Sequence, residues 1–340
     1  MPISRNRVQA WKTIVIVILF LAILIGARLF WIAMFYYADQ PHAVNGRLDL
    51  RGWDAEEGQT IKLDGEWEFY PHAMLADQPG VPPGVEPHIL SVPGKWNDSM
   101  QPEESTPYGY GSYRLQILVN PEDEYTYTIR IPSVRSSSAL YVNGRLLAQS
   151  GVPSAEEKEY VARNVPYSAS FSTNGSEVID IVIQAANYKD SRGSGIIRSI
   201  KFGTEAAMAR ETQLSINMQL IFAVVFLVQA AFGIILYILS SKDKQPLYFS
   251  LNLICAVLTI LSGSEDKLLQ YWFPMSYDWS FKFVALALIG LTVALMLYVK
   301  PQLPVIMRII VPGYTVLCAI AALLVVLMPG CSSEAFPCER

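Results

Sequence analysis

Cysteine is scarce in this chain, and residues 38–211 contain none of it. A domain without cysteine has no disulfide framework, so a stretch of this length must be held together by its hydrophobic core. Cys255 and Cys318 lie within apolar runs, where cysteine packs as a small hydrophobe. Cys331 and Cys338 could pair in the C-terminal tail, although two incidental cysteines are the simpler interpretation. No histidine lies near them, which argues against a zinc site.

Sequence motifs of catalysis are also missing. The chain has no GxSxG, HExxH or Walker-type segment, and His42, His72 and His88 are scattered at spacings that indicate no metal site. We therefore expect no cofactor, no metal and no enzyme activity. A glycosidase needs only two well-placed carboxylates. A solvated acidic face is nevertheless the better explanation of the many carboxylates.

A basic stripe is the third absence. Residues 38–211 hold 24 Asp and Glu against 15 Lys and Arg, a net charge of −9, while the whole chain carries −4. An acidic domain has no cationic surface that could follow a phosphate backbone. Nucleic acid is therefore not an expected partner.

Apolar residues, by contrast, make up 52% of the chain and charged residues only 16%. The first long apolar run spans residues 13–37 and follows a basic head, residues 1–12. No small-x-small cleavage site follows it, so an uncleaved transmembrane anchor is favoured over a removed signal peptide. Arg28 within the run would reach toward an interface. The head is then expected to be cytoplasmic.

Residues 38–211 have the pattern of strands and turns. Alternation in Ile61–Tyr70 and Tyr125–Ile131, and the apolar run Val178–Ala186, predict strands, and Val92–Trp96 is interpreted as another short extended piece. Asn143-Gly144 lies between two strand-prone runs and predicts a tight hairpin, because a type I′ turn needs positive φ at both central residues. About eight short strands and no convincing helix predict an antiparallel β-sandwich. Residues 152–170 are interpreted as a long polar loop.

The region 212–329 is predicted to hold four transmembrane helices, at about 214–239, 246–263, 280–299 and 307–328. Its first and third connections are basic, whereas the second connection, 264–279, is mainly acidic. The basic residues concerned are Lys242, Lys244, Lys300 and Arg308. This asymmetry places the basic connections in the cytoplasm and puts the β-domain, the second connection and the tail 330–340 outside.

Loop residues of the β-domain are the candidates for ligand binding. Trp96, Tyr108, Tyr110, Tyr188 and Arg192 flank or occupy polar loops. Aromatic faces stack on apolar sugar faces, and loops at one end of a sandwich can converge on a ligand. The alternative is that these side chains only hold the loops against the core.

Polar residues within the predicted spans are the other candidates. Gln229 and Asn252 lie deep in the first and second spans and should hydrogen-bond between helices. Helix packing explains them better than a transport path. Asn217 and Gln219 lie near the outer end, where water could satisfy them.

Five short sequence segments occur in a recognisable order along the chain. They are Leu63-Asp-Gly-Glu-Trp-Glu-Phe69, Val92-Pro-Gly-Lys-Trp96, Gly109-Tyr-Gly-Ser-Tyr-Arg114, Leu140-Tyr-Val-Asn-Gly-Arg145 and Val182-Ile-Gln-Ala-Ala-Asn187. Their order resembles the galactose-binding-like jelly-roll domain at the front of family 2 glycoside hydrolases. With the multi-span block behind it, the chain over about 60–328 is similar to a bacterial seven-transmembrane receptor with diverse intracellular signalling modules.

The resemblance implies a plasma-membrane sensor that binds a small, carbohydrate-like ligand outside and drives a cytoplasmic histidine kinase or cyclase. It does not imply hydrolysis, because the jelly roll is not the catalytic domain of those hydrolases. This chain has four spans after the β-domain instead of seven and no output module, which predicts a truncated or frame-shifted receptor. The partners expected are the lipid bilayer, a small-molecule or carbohydrate ligand and a second copy in a homodimer. A docking protein of the cell envelope is the alternative function, and an anchored glycosidase is a remote one.

Overall fold

The computed structural model describes residues 3–34, 40–53, 58–77, 86–99, 106–122, 125–240 and 243–327. Lys242, the two tail cysteines and the predicted tail 330–340 lie outside the described residues. The N-terminal helix α1, Ile3–Met34, belongs to a unit of its own. Its apolar side chains from Ile14 to Ile25 are exposed, which suits a nonpolar surrounding. The last part of the predicted anchor, residues 35–39, is not described.

The β-domain follows, with 13 strands among its described residues. The strands are β1 Arg47–Asp49, β2 Ile61–Lys62, β3 Gly65–Pro71, β4 His88–Val92, β5 Gly109–Leu118, β6 Thr126–Ile131, β7 Val134–Arg135, β8 Ser137–Val142, β9 Arg145–Ser150, β10 Tyr167–Ser172, β11 Val178–Asn187, β12 Gly195–Ile196 and β13 Lys201–Thr204. A short helix, α2, covers Trp96–Ser99, and a 3-10 turn covers Leu75–Asp77.

Two main sheets face each other. The larger has the order β4-β3-β5-β11-β8-β9, with β1 pairing parallel to β5, and the smaller has the order β10-β6-β13-β2. Strands β7 and β12 form a separate pair. Fully buried side chains from both sheets meet in one core, among them Trp67, Leu115, Ile129 and Phe202. The shared core makes the domain a β-sandwich.

The hairpin expected at Asn143-Gly144 joins β8 to β9. Asn143 and Gly144 have φ values of 50° and 76°, and Val142 pairs with Arg145. Both residues therefore adopt the left-handed conformation that a type I′ turn requires. The Asn143 backbone N–H also donates to the carbonyl of Asp180 at 2.8 Å, which ties the turn to β11.

The sequence interpretation of the β-domain is wrong at three points. Tyr167–Ser172 is a strand, although 152–170 was expected to be a loop, because only Ala169 in it is buried and its apolar pattern is weak. The extended piece expected at Val92–Trp96 stops at Val92, and Trp96 begins a helix. The pairing of β1 with β5 is parallel, so the sandwich is not wholly antiparallel.

The remainder of the chain is helical. Its helices are α3 Glu205–Leu239, α4 Gln245–Gly263, α5 Leu268–Trp272, α6 Tyr277–Val299 and α7 Val305–Leu327. Four helices of the described chain are long and apolar enough to cross a membrane, namely Glu205–Leu239, Gln245–Gly263, Tyr277–Gln302 and Arg308–Leu327. The predicted combination of a β-sandwich with apolar helices is thus confirmed, whereas α5 had been expected to be part of a loop.

Helix α4 packs between α3 and α6, and α7 contacts α6. Small residues of α3 face α4, and a Cβ at Gly233 would come within 2.3 Å of the Ser250 hydroxyl. Asn252 donates its side-chain amide to the carbonyl of Leu291 in α6 at 2.8 Å, an interhelical bond of the kind expected for it. Gln229 does not make the contact predicted for it. Its side chain is exposed, whereas the neighbouring Ala230 is buried.

Candidate ligand site at the junction of the β-domain and the helices

A cavity of about 580 Å³ lies between the β-domain and the helices. On the β-domain side it is lined by residues of the segments 133–135, 162–165 and 192–198. On the helical side it is lined by the end of α4, the connection to α6 and the first two turns of α6. We call the whole surface between the β-domain and the helices the junction. The cavity has the size of a small-molecule site.

The cavity lining is basic. Its charged side chains are those of Arg135, Arg163, Arg192, Arg198 and Lys267, and its described lining contains no Asp or Glu. Two carboxylates touch these cations from outside the lining. Asp190 pairs with Arg135 at 3.5 Å and with Arg192 at 2.6 Å, and Glu265 lies 3.7 Å from Arg198.

Asp190 is held in place by Asn187, the last residue of β11. The Asn187 amide donates to the carbonyls of Pro107 and Asp190, both at 2.7 Å, and its oxygen accepts from the Asp190 N–H at 2.8 Å. Burial of Asp190 acts to raise its pKa, but hydrogen bonds from Arg192 and Tyr277 outweigh it and hold the pKa below its usual value. Asp190 is therefore a buried carboxylate that stays ionised.

Two contacts of α6 reach this loop from the helical side. The Tyr277 hydroxyl donates to the Asp190 carboxylate. The guanidinium of Arg192 lies over the ring of Phe281, 3.8 Å from the ring centre, in cation–π geometry. We call Asp190, Arg135, Arg192 and Tyr277 the Asp190 cluster. It joins the start of α6 to the β-domain.

Lys267 lines the cavity from the helical side, just before α5. Its φ of 46° lies in the left-handed region, which is strained for a residue with a side chain. The ammonium donates to the carbonyl of Asn164 in the β-domain. Burial, with a smaller contribution from the positive charges of Arg198 and Arg135, lowers the pKa of Lys267 to about 7. The positive charge of Lys267 is therefore lost as the pH rises through about 7.

A second polar cluster lies beside the cavity. Arg130 in β6 donates to Asp266, and the second oxygen of Asp266 accepts from Ser215 and Gln219 in α3, both at 2.6 Å. The side chains of Arg130 and Asp266 are 11% and 3% exposed, so this ion pair is buried. We call these four residues the latch. It connects a strand of the β-domain, the helical connection and α3.

Lys201 in β13 supports the latch from the side. Its ammonium lies 2.8 Å from Glu211 of α3 and 3.1 Å from Glu265. Burial acts to lower the pKa of Lys201, yet the two carboxylates raise it above its ordinary value. Lys201 is therefore a charged bridge between the two sides of the junction.

The candidate residues named from the sequence divide into three groups. Trp96 is buried at 3%, stacks on Phe69 with ring centres 5.6 Å apart, and donates its indole N–H to the carbonyl of Thr106 at 3.0 Å. Trp96 therefore follows the alternative given for these residues, in which the side chain holds its loop against the core, and it offers no free aromatic face to a ligand.

Tyr108, Tyr110 and Tyr188 meet at one end of the sandwich, where Gly109 pairs with Asn187, but they do not line the cavity. Tyr188 packs edge-on against Tyr160 and donates to the carbonyl of Ala155 at 2.8 Å, and burial raises the pKa of its hydroxyl to about 12. Tyr108 is 40% exposed. Only Arg192, the fifth candidate, lines the cavity.

Sequence reasoning missed most of the site. Arg135, Arg163, Arg198 and Lys267 are spread over more than a hundred residues and form no motif. Gln219 was interpreted as satisfied by water, whereas it donates to the buried Asp266. The only available signal was the unusual concentration of Glu265, Asp266 and Lys267 in the connection before α6. Within the described part of the chain, no group of three or more His, Cys, Asp or Glu could hold a metal ion.

Comparisons with known proteins identify only distant similarity. No protein-family model and no curated protein matches the chain. Among solved structures, a GH2 β-galacturonidase from Eisenbergiella tayi is 15% identical, with a TM-score of 0.31 over 43% of this chain and 24% of the enzyme. A β-glucuronidase from Faecalibacterium prausnitzii is 16% identical, with a TM-score of 0.31 over 43% and 31% of the two chains. One from Ruminococcus gnavus is 17% identical, with a TM-score of 0.32 over 42% and 27%. The chain thus spans less than a third of each enzyme, and similarity at this level does not indicate a shared activity.

Proposed function

We propose that this protein is a membrane-anchored sensor in which a ligand bound at the junction changes how the β-domain sits on the helices. The observation that carries the proposal is the latch. Its buried ion pair between Arg130 and Asp266 links a strand of the sandwich directly to α3. The basic cavity lies at the same junction, so a ligand there would contact both sides of the link.

Helix α3 provides the route by which such a change would travel. Strand β13 ends at Thr204 and α3 begins at the next residue, with the Thr204 hydroxyl accepting from the Ala207 N–H. No flexible linker separates the two elements. A helix of 35 residues is about 52 Å long, longer than a bilayer core. A tilt imposed on its first turns by the β-domain would therefore reach its far end.

A ligand can shift such an arrangement only if it binds two packings with different affinity. A cavity built half by the β-domain and half by the helices meets this condition, because any change in docking changes its shape. In this proposal the β-domain is an extracytoplasmic jelly roll of the galactose-binding-like type and the N-terminus is cytoplasmic. The signal would pass to a cytoplasmic module of a full-length receptor, such as a histidine kinase, or to a partner.

The cavity gives less support to the two alternative functions, an anchored glycosidase and a docking protein of the cell envelope. A glycosidase of the usual kind needs two carboxylates on either side of the scissile bond, and the described lining offers arginine and lysine instead. A docking protein of the cell envelope would need no internal cavity. Its hallmark would be a protein partner recovered with the purified chain in the absence of any small-molecule response.

The experiment that tests the sensor uses spin labels on the full chain in lipid nanodiscs. The four native cysteines are replaced by alanine, and labels are attached through Ser240→Cys and Gln302→Cys. Ser240 directly follows α3, and Gln302 ends the 3-10 turn Lys300–Gln302 that follows α6, so both lie on the side of the bundle away from the β-domain. A panel of sugars and organic acids is screened by thermal shift, and each binder is then tested for a change in label distance.

We expect at least one binder to move the labels by about 1–2 Å, the size of helix shifts in known transitions. The matched control carries Arg130→Leu and Asp266→Leu together, which removes the ion pair without leaving one charge buried. In that variant the binder should still bind but should no longer move the labels. Binding that leaves the label distance unchanged in the native chain, or a panel with no binder at all, would overturn the proposal.

A further inference from the structure

The cavity at the junction carries more positive charge than its surroundings neutralise. Five cations line it, and two carboxylates, Asp190 and Glu265, touch them. Five minus two leaves an excess of about three positive charges, or two when Lys267 is neutral. Like charges placed close together repel one another, and an anion bound between them relieves the repulsion.

Two of these cations have no carboxylate partner among the described residues. Arg163 forms no salt bridge there, and Lys267 is held only by the carbonyl of Asn164. They come from different sides of the junction, Arg163 from the β-domain and Lys267 from the helical connection. An anion between them would therefore be held by both sides at once.

The backbone keeps Arg163 in position without help from its side chain. The Arg163 N–H donates to the carbonyl of Ser136 at 2.9 Å, and its carbonyl accepts from the Ser150 hydroxyl at 3.2 Å. The exposed guanidinium of Arg163, at the rim of the cavity, is therefore not needed to hold this segment in place. A guanidinium has paired N–H donors that match the two oxygens of a carboxylate or phosphate.

Uncharged donors complete the lining on the helical side. Ser276 and Ser280 supply hydroxyls, and Gln270 supplies an amide that already donates one hydrogen to the Ser280 hydroxyl, whereas the Ser262 hydroxyl donates to the carbonyl of Leu258. Such groups suit a ligand that carries several oxygens. A space of about 580 Å³ is much larger than a bare inorganic ion, and it fits an organic molecule or a headgroup.

We infer that the junction cavity is a binding site for an organic oxyanion, whose carboxylate or phosphate lies between Arg163 and Lys267 with Arg135 and Arg198 beside it. The inference deepens the proposed function and rests on it, because the oxyanion is the ligand whose occupancy the junction would report. Two sources share this chemistry. One is a soluble metabolite, and the other is the headgroup of an anionic lipid, since exposed Trp272, Phe273 and Trp279 lie on the same connection and at the start of α6.

The test measures thermal stabilisation of the full chain in nanodiscs at constant ionic strength set with sodium chloride. Inorganic phosphate and sulfate are titrated into nanodiscs made of phosphatidylcholine alone. A parallel series without added anion uses nanodiscs that also contain phosphatidylglycerol. Stabilisation by the soluble ions assigns the site to a soluble oxyanion, and stabilisation by phosphatidylglycerol assigns it to a lipid headgroup.

Three variants locate the effect. Arg163→Met should weaken anion binding by about 10-fold or more, because hydrogen bonds to charged groups are worth that factor. Lys267→Met should weaken it similarly. Arg145→Met, an exposed arginine in the β8–β9 hairpin outside the cavity lining, should leave it unchanged. Since Arg163 makes no side-chain contact that holds the fold, its variant remains informative even if Lys267→Met folds poorly.

The dependence of sulfate binding on pH gives an independent readout. Sulfate keeps its charge across the neutral range, and burial lowers the pKa of Lys267 to about 7. The charged groups near this ammonium are Arg135, Arg163 and Arg198 of the β-domain, with Glu265 and Asp266 on its own connection. Binding should therefore weaken as the pH rises through about 7 in the native chain, and this dependence should be absent in Lys267→Met.

The inference is overturned if neither soluble anions nor phosphatidylglycerol stabilise the chain, or if Arg163→Met and Arg145→Met behave alike. Its failure is separable from that of the sensor. A neutral sugar that moves the spin labels would leave the sensor standing without an anion site. Anion binding at Arg163 with no movement of the labels would leave the site standing without the sensor.

Discussion

The Asp190 cluster and the latch both place a buried aspartate at the junction, but the aspartates obtain their counter-charges from different places. Asp190 and Asp266 have side chains that are 2% and 3% exposed. The arginines that neutralise Asp190 belong to its own domain, at positions 135 and 192. The arginine that neutralises Asp266 comes from across the junction, at position 130. Separation of the β-domain from the helices would leave Asp190 paired and Asp266 unpaired.

This difference assigns the two clusters different physical roles. The Asp190 cluster organises a loop of the β-domain and adds one hydrogen bond to α6 through Tyr277. The ion pair of the latch exists only while the β-domain is docked, because Arg130 belongs to the β-domain and Asp266 to the helical connection. The free energy of docking should therefore depend strongly on the latch and weakly on the Asp190 cluster.

The largest effect is expected from Arg130→Leu. Removing one partner of a buried ion pair leaves the other charge uncompensated, at a cost of about 3–5 kcal/mol. Thermal unfolding in detergent, followed by tryptophan fluorescence, should show a clear loss of stability. Arg130→Leu combined with Asp266→Leu should recover most of the loss, because the buried charge is gone. Equal destabilisation in the single and double variants would contradict the latch.

Lys267, a third charged residue at the junction, should make the stability of the protein depend on pH. Its pKa is lowered from its ordinary value to about 7 in the folded protein. Between about pH 7 and about pH 10, Lys267 is therefore protonated in the unfolded chain but mainly neutral in the folded protein. Stability should therefore rise with pH through this window, by at most about 1.4 kcal/mol per pH unit, and stay flat in this respect below it. Unfolding measured from about pH 7.5 to about pH 9.5 should show this slope in the native chain and lose it in Lys267→Met.

A smaller effect is expected from Tyr277→Phe. The change removes one hydrogen bond to Asp190 but leaves its two arginine partners in place. A loss of about 1 kcal/mol follows from the ordinary value of such a bond. The same unfolding measurement compares it with Arg130→Leu. If Tyr277→Phe proved the more damaging of the two, the roles assigned to the two clusters would be reversed.

How much of this could be predicted from the sequence depends on how local the causes are. The Asn143-Gly144 turn was predictable because the requirement for positive φ acts on two adjacent residues. The apolar helices were predictable because length and hydrophobicity are properties of one segment. Strand β10 was not, because it has one buried side chain and owes its conformation to pairing with β6.

The candidate site was even harder to predict from the sequence than strand β10. Trp96 looked like a loop residue because its neighbours are polar, and only the packing of α2 against Phe69 places it in the core. Arg163 and Lys267 are separated by more than a hundred residues, and they meet because the β-domain docks on the connection before α6. Such a site is created by tertiary contacts between the β-domain and the helices, so its only trace in the sequence is the charged run Glu265–Lys267.

The smallest effect provides the baseline for the comparison. Asn252 donates to the carbonyl of Leu291, a bond between α4 and α6 that does not involve the β-domain. Interhelical hydrogen bonds of this kind contribute on average about 0.6 kcal/mol, because the separated helices find other partners for the same groups. Asn252→Leu should therefore lower stability only slightly. It should also leave unchanged the energy recovered by combining Arg130→Leu with Asp266→Leu, because distant sites contribute additively. The contradicting outcome is a change in that recovered energy of more than about 0.5 kcal/mol when Asn252→Leu is added. Such a change would mean that the helix bundle and the junction are energetically coupled, so that the latch does not contribute independently to stability.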